Sequence, residues 1–133
     1  MTIFIDTSAF LAIFAADDRY HEAAQVTWQA LISEEETLFC NNYILVETLT
    51  LLQRHLGKDA ARSFQFNVLP SVNIHWVDEQ IHEQAVTALL AADRRYLSLV
   101  DCSAFETMRL YGIDKAFTFD AHYTDHGFEQ LPQ

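Results

Sequence analysis

The sequence predicts an α/β sandwich with a mainly parallel central sheet, and three observations carry that expectation. Short apolar runs of strand length alternate with longer segments whose apolar residues recur at three and four, the helical spacing. All 3 glycines fall where a helix should stop, a position that often needs positive φ. The 133 residues are 50% hydrophobic and 20% charged, which suits one buried core and excludes a disordered or fibrous chain. With only 3 Gly and 2 Pro there is no low-complexity linker, so residues 1–133 read as a single domain.

Taken in order, Ile3–Ile5 reads as the first strand, and Asp6 ends it ahead of a helix through Ala9–Ala16. A second helix spans Tyr20–Glu34 and a second strand Leu38–Cys40. Tyr43–Leu56 reads as a helix closed by Gly57, followed by another from Lys58 to Leu69 that Pro70 stops. Ile74–Val77 is the third strand, with a helix over Glu79–Asp93 and another over Cys102–Tyr111, closed by Gly112. Ala116–Phe119 is the fourth strand, Ala121–His126 a short helix closed by Gly127, and Glu129–Leu131 a small last strand. Strands alternating with helices call for a parallel sheet with helices packed on it.

Acids outnumber bases 19 to 8, for a net charge of −11. That balance argues against a general basic surface for coating nucleic acid, but not against an enzyme that grips phosphate through metal ions. No stretch approaches the roughly 18 apolar residues of a membrane span. The N-terminus lacks a basic segment of the secretory kind, so a cytoplasmic location is expected. Cys40 and Cys102 have no Cys-x-x-Cys spacing and read as buried, reduced thiols.

The informative residues are acids in unusual places. Asp6 and Asp120 each follow an apolar strand and precede a helix. In a parallel sheet both stand at carboxyl ends, the edge where ligands bind, although Asp also caps helices well. Glu47 shares a helical stripe with Ile44 and Leu51, where a carboxylate is costly unless paired, for instance with Arg54, or bound to a cation. Asp101 stands three residues after Ser98, a capping-box spacing, and heads an apolar stripe continued by Ala104, Phe105 and Met108. Taken together the acids suggest one cluster. Carboxylates without cysteine or an obligatory histidine suit Mg²⁺ or Mn²⁺ rather than zinc, and such a site on an α/β fold points to phosphodiester chemistry.

At these positions the chain resembles the PIN-domain family, and within it the VapC-type toxin ribonucleases of toxin–antitoxin pairs. The resemblance rests on Phe4-Ile-Asp6-Thr-Ser8-Ala-Phe10, Ile44-Leu-Val-Glu47-Thr, Leu97-Ser-Leu-Val-Asp101-Cys-Ser-Ala-Phe105 and Phe117-Thr118-Phe-Asp120-Ala-His-Tyr123, in the family's order and spacing. It implies a three-layer α/β/α sandwich and a metal-dependent endoribonuclease that leaves a 5′ phosphate. It implies that Asp6, Glu47, Asp101 and Asp120 are catalytic, metal-binding carboxylates, with Ser8 and Thr118 lining the site. Many members carry a further acid two residues after the fourth, where this chain has His122. The resemblance also implies an RNA substrate, a cognate antitoxin and a homodimer.

Arg94 and Arg95 precede the Asp101 segment and are candidates for RNA backbone contact. Arg54, Lys58 and Arg62 are spaced by four and would form a basic stripe if the helix nearly continues past Gly57. Phe10, Phe14 and Trp28 are candidates either for a partner interface or for plain core packing. His122 and His126, four apart beside Asp125, raise a zinc reading that lacks the glutamate of the metalloprotease helix. Two other readings stay open: a phosphatase with an aspartyl nucleophile at Asp6, and a PIN-like binding module with an inactive site.

Overall fold

A computed structural model describes all of residues 1–133. Five strands form one sheet: β1 (Thr2–Ile5), β2 (Thr37–Asn41), β3 (Asn73–His75), β4 (Lys115–Phe117) and β5 (Glu129–Leu131). Their order is β3-β2-β1-β4-β5, and every pairing is parallel. The central strand β1 is buried on both faces, which is why Ile3, Phe4 and Ile5 form an unbroken apolar run rather than an alternation.

The connections are helical: α1 (Thr7–Phe14), α2 (His21–Ser33), α3 (Asn42–Leu56), α4 (Lys58–Ser63), α5 (Glu79–Ala91), α6 (Leu99–Tyr111) and α7 (His122–Asp125). From β1 to β2 to β3 the chain steps one way across the sheet; from β3 to β4 it returns past β1. Right-handed crossovers then place α1 to α4 on one face and α5 and α6 on the other, a three-layer sandwich. The direction reverses between β1 and β4, so their carboxyl ends flank a crevice suited to a ligand.

Most elements fall where the sequence places them, and the exceptions have local causes. The helix expected from Lys58 to Leu69 is regular only to Ser63 and continues as a π turn over Phe64–Val68 and a 3-10 turn over Leu69–Ser71. The wide turn brings Phe64 into the core, edge-on to Phe10 at 4.8 Å. Gly57, at φ 91° and ψ 179°, separates α3 from α4, so Arg54 does not line up with Lys58 and Arg62 in one stripe. Arg62 pairs with Asp59 instead. The last helix before β4 starts at Leu99 because Ser98 caps it, and Gly112 closes it in the left-handed region at φ 66°.

The core holds 28 buried residues, Cys40 and Cys102 among them as free thiols. Burial pushes the Cys40 thiol up to about 12, which leaves it inert. Phe10 belongs to this core and is withdrawn from any interface, whereas Phe14 and Trp28 are half-buried at its margin. No helix is long and apolar enough to cross a membrane.

Candidate active site

Asp6 stands where β1 meets α1, with its backbone N–H bonded to the Phe117 carbonyl at the end of β4 (3.0 Å). It caps α1 and is 4% exposed. Its Oδ2 accepts from the Ser8 hydroxyl (2.7 Å), the Thr118 hydroxyl (2.9 Å) and the Ser8 backbone N–H (3.3 Å). Each of those hydroxyls is itself steered: Phe119 N–H donates to Ser8 Oγ (2.9 Å) and Asp120 N–H to Thr118 Oγ1 (3.0 Å). A carboxylate offers about four lone-pair positions. Oδ2 is saturated; Oδ1 accepts from Tyr123 Oη (3.1 Å) and keeps one position open for a cation.

Asp101 lies in the first turn of α6 and is 8% exposed. The capping box is real: Ser98 Oγ accepts from Asp101 N–H (3.0 Å), and Asp101 Oδ2 accepts from Ser98 N–H (3.1 Å). Capping occupies one position on that oxygen and holds the carboxylate in place, so the helix cap and the site share one side chain. Asp120 lies in the turn after β4, where its Oδ1 accepts from His122 N–H (2.9 Å). One donor atom from each of Asp101, Asp120 and His122 lies within 4.8 Å of the other two.

Glu47, on α3, lies near enough to Asp6, Asp101 and Asp120 for their charges to act on it. A buried polar strut sets α3 against α6: Asn41 Oδ1 accepts from Ile44 N–H (3.0 Å), and its Nδ2 donates to Ser103 Oγ (3.2 Å) and Thr107 Oγ1 (3.1 Å). Beside Glu47, Thr48 donates to Thr7 Oγ1 (3.1 Å), tying α3 to α1. Glu47 makes no ion pair with Arg54; it is partly buried and borders a depression of about 490 Å³ lined also by Tyr43, Thr50 and Val100.

Asp6 and Glu47 both feel the charges of Asp101 and Asp120. Burial raises the Asp6 carboxyl above its usual range, opposed by the Ser8 and Thr118 hydrogen bonds and reinforced by the charges of Asp101 and Asp120. Burial likewise raises Glu47, and Asp6, Asp101 and Asp120 all add to it. Burial first, then the same acids, push the Tyr123 hydroxyl well above the ordinary phenol range, so it remains a donor.

The structure therefore groups Asp101, Asp120 and His122 at ligand spacing, leaves Asp6 and Glu47 outside that trio but near enough to feel the charges of Asp101 and Asp120, and bonds Ser8 and Thr118 to Asp6. Arg94 reaches across to Asp125 on α7 (2.9 Å), whereas Arg95 is exposed and makes no ion pair. The paired-histidine zinc reading fails. His126 Nδ1 is engaged by the His122 carbonyl (2.8 Å) and its ring stacks on Phe105, while Asp125 faces Arg94. Sequence reasoning missed the roles of Tyr123 and Asn41. Tyr123 sits in a quoted motif but looks like one more core aromatic, and Asn41 looks like an ordinary helix cap.

Residues 3–129 match the PIN domain family model. The chain is 34% identical over 130 residues to "23S rRNA-specific endonuclease VapC20" of Mycobacterium tuberculosis, covering 97% of each. The crystal structure of that VapC20, described as a sarcin–ricin loop cleaving toxin, superposes with a TM-score of 0.85 at 35% identity and 95% coverage of both chains. FitAcB from Neisseria gonorrhoeae shares the fold, with a TM-score of 0.70 at 14% identity over 98% of this chain and 96% of that one. An acidic crevice at the point where a parallel sheet reverses direction, with these matches across nearly the whole chain, places the protein in the PIN domain family, alongside the VapC-type endonucleases.

Proposed function

We propose that this protein is a metal-dependent endoribonuclease acting as the toxin of a toxin–antitoxin pair. The observation that supports it most is the gathering of acids at one sheet edge, where burial and the neighbouring charges of Asp101 and Asp120 oppose ionisation of Asp6 and Glu47. Such a group is costly unless cations share the pocket. A bound Mg²⁺ or Mn²⁺ supplies water of lowered pKa and positive charge for a non-bridging phosphate oxygen.

The chain's own residues do the remaining work. Asp6 Oδ1, Asp101 and Asp120 offer hard oxygen donors from the ends of β1, α6 and β4. Ser8 and Thr118 keep Asp6 in one orientation, so the donor set is arranged before any ion arrives. Glu47, on the open side, would help hold the ion or accept a hydrogen bond from a water lined up for in-line displacement, in which the new P–O bond forms as the P–O3′ bond breaks and the 3′ oxygen leaves with a proton. That attack leaves a 5′ phosphate. On a surface of net charge −11 the grip on RNA must be local. Arg94 and Arg95, at the mouth of α6, are the candidates to meet phosphates there.

An acidic toxin favours an antitoxin with a basic tail. The groove of about 810 Å³ between α1, α2 and the π turn, lined by Phe14, Trp28 and Val68, is where such a partner would bury apolar side chains. A homodimer and a cytoplasmic location complete the proposal. An aspartyl-phosphatase mechanism is poorly served, because the second acid such enzymes use is replaced by Ser8, which is already committed to Asp6 Oδ2.

The test is cleavage of a sarcin–ricin loop RNA and of a mixed RNA pool, with Mg²⁺ or Mn²⁺ and with chelator. Wild type cuts only with metal, and Asp6→Asn and Asp101→Asn lose nearly all activity while still folded. Equal cleavage by wild type and both variants would overturn the proposal.

A further inference from the structure

His122 occupies the place two residues after Asp120, and its ring is the one polar group at the site that no hydrogen bond explains. Its Nδ1 is shut off from solvent and has no hydrogen-bond partner. That atom stands 3.5 Å from Asp101 Oδ2 and 3.4 Å from Asp120 Oδ1. Both oxygens already accept one backbone N–H, from Ser98 and from His122 itself, and each keeps a second position. Two carboxylate oxygens and one ring nitrogen thus lie within 4.8 Å of one another.

The two nitrogen–oxygen spacings, 3.5 and 3.4 Å, fit a shared ion. Ligands at bond lengths near 2.1 Å stand about 3.0 Å apart across an octahedral edge and about 3.4 Å across a tetrahedral one. An imidazole donor also changes which ion is preferred. Oxygen-only sites suit Mg²⁺, whereas a ring nitrogen adds affinity for first-row transition ions and almost none for Mg²⁺.

We infer that His122 Nδ1 joins Asp101 and Asp120 as a direct metal ligand, making a mixed nitrogen–oxygen site that favours Mn²⁺ or Co²⁺ over Mg²⁺. The inference rests on the metal-dependent nuclease reading and adds the identity of one ligand and of the preferred ion. The competing arrangement is an imidazolium that neutralises the two acids and binds no metal.

The experiment uses the whole chain loaded with Mn²⁺ and reads ¹⁴N coupling by pulsed electron paramagnetic resonance. Titration calorimetry with Mn²⁺ and with Mg²⁺ accompanies it, for wild type, His122→Asn and Asp101→Asn, with thermal melts of the metal-free proteins to confirm folding. Wild type is expected to show imidazole ¹⁴N coupling that His122→Asn lacks. The ratio of Mn²⁺ to Mg²⁺ affinity should fall at least about ten-fold in His122→Asn, since even residues behind the ligands alter affinity by about 10–100-fold. Mn²⁺ binding that depends on Asp101 but shows no His122-dependent ¹⁴N coupling overturns this inference and leaves the nuclease reading standing. No Asp101-dependent Mn²⁺ binding overturns both.

Discussion

Asn41→Ala isolates the strut between the helices that carry Glu47 and Asp101. Asn41 is fully buried, and its amide serves Ile44 N–H, Ser103 Oγ and Thr107 Oγ1. Truncation removes the cap of α3, which costs about 1 kcal/mol, and leaves a buried N–H without an acceptor. Ser103 and Thr107 lose a donor but still donate to the Val100 and Ser103 carbonyls (2.7 and 2.8 Å), so they are weakened rather than stranded. Two lost hydrogen bonds at about 1 kcal/mol each, added to the cap, put the total near 2–4 kcal/mol. Against a domain stability of about 5–15 kcal/mol, the variant should still fold. Urea unfolding should show a lower midpoint with an unchanged slope. Because the strut sets α3 against α6, RNA cleavage at a temperature where both proteins are folded should fall by more than the small loss of folded protein explains. Ser103→Ala, which keeps the cap, should cost less than half as much. A loss under about 1 kcal/mol, or stability lost with cleavage per folded molecule unchanged, would refute the strut.

Asp6→Asn should raise the stability of the metal-free protein near neutral pH. Burial and the neighbouring acids lift the folded carboxyl above its ordinary 3.8, so the folded state holds a proton that the unfolded chain releases, and wild-type stability declines as pH rises through that interval. The advantage of Asp6→Asn should therefore vanish below 3.8 and level off once folded Asp6 ionises, as read from thermal melts against pH in chelator. A constant difference at every pH would refute it. Tyr123→Phe deletes one oxygen and keeps the ring packed on Phe105 at 5.0 Å; losing its buried hydrogen bond to the Asp6 carboxyl should cost about 1–3 kcal/mol. That cost should shrink in an Asp6→Asn background, and an undiminished cost would place the Tyr123 contribution outside its contact with Asp6.

Much of this protein is decided by neighbours along the chain. Ile3–Ile5 is a buried strand because it is apolar without alternation; Gly57 and Gly112 stop helices because they adopt positive φ; Ser98 and Asp101 cap α6 at the spacing a capping box requires. The motifs around Asp6, Glu47, Asp101 and Asp120 are legible for the same reason, as acids set against apolar patterns, and the PIN domain match bears out the family resemblance they carry. What the linear order leaves undecided is anything requiring distant segments to meet. The strand order β3-β2-β1-β4-β5, which puts the ends of β1 and β4 side by side, depends on crossover handedness and packing of the whole sheet. The hydrogen bond from Tyr123 to Asp6 spans 117 positions, and the Asn41 strut links residues 62 and 66 apart. His122 shows the division within a single residue. Its departure from an acid is visible in the sequence, but only the fold aims its bare ring nitrogen at two carboxylates, because that aim is set by the turn after β4 and the first turn of α6 together.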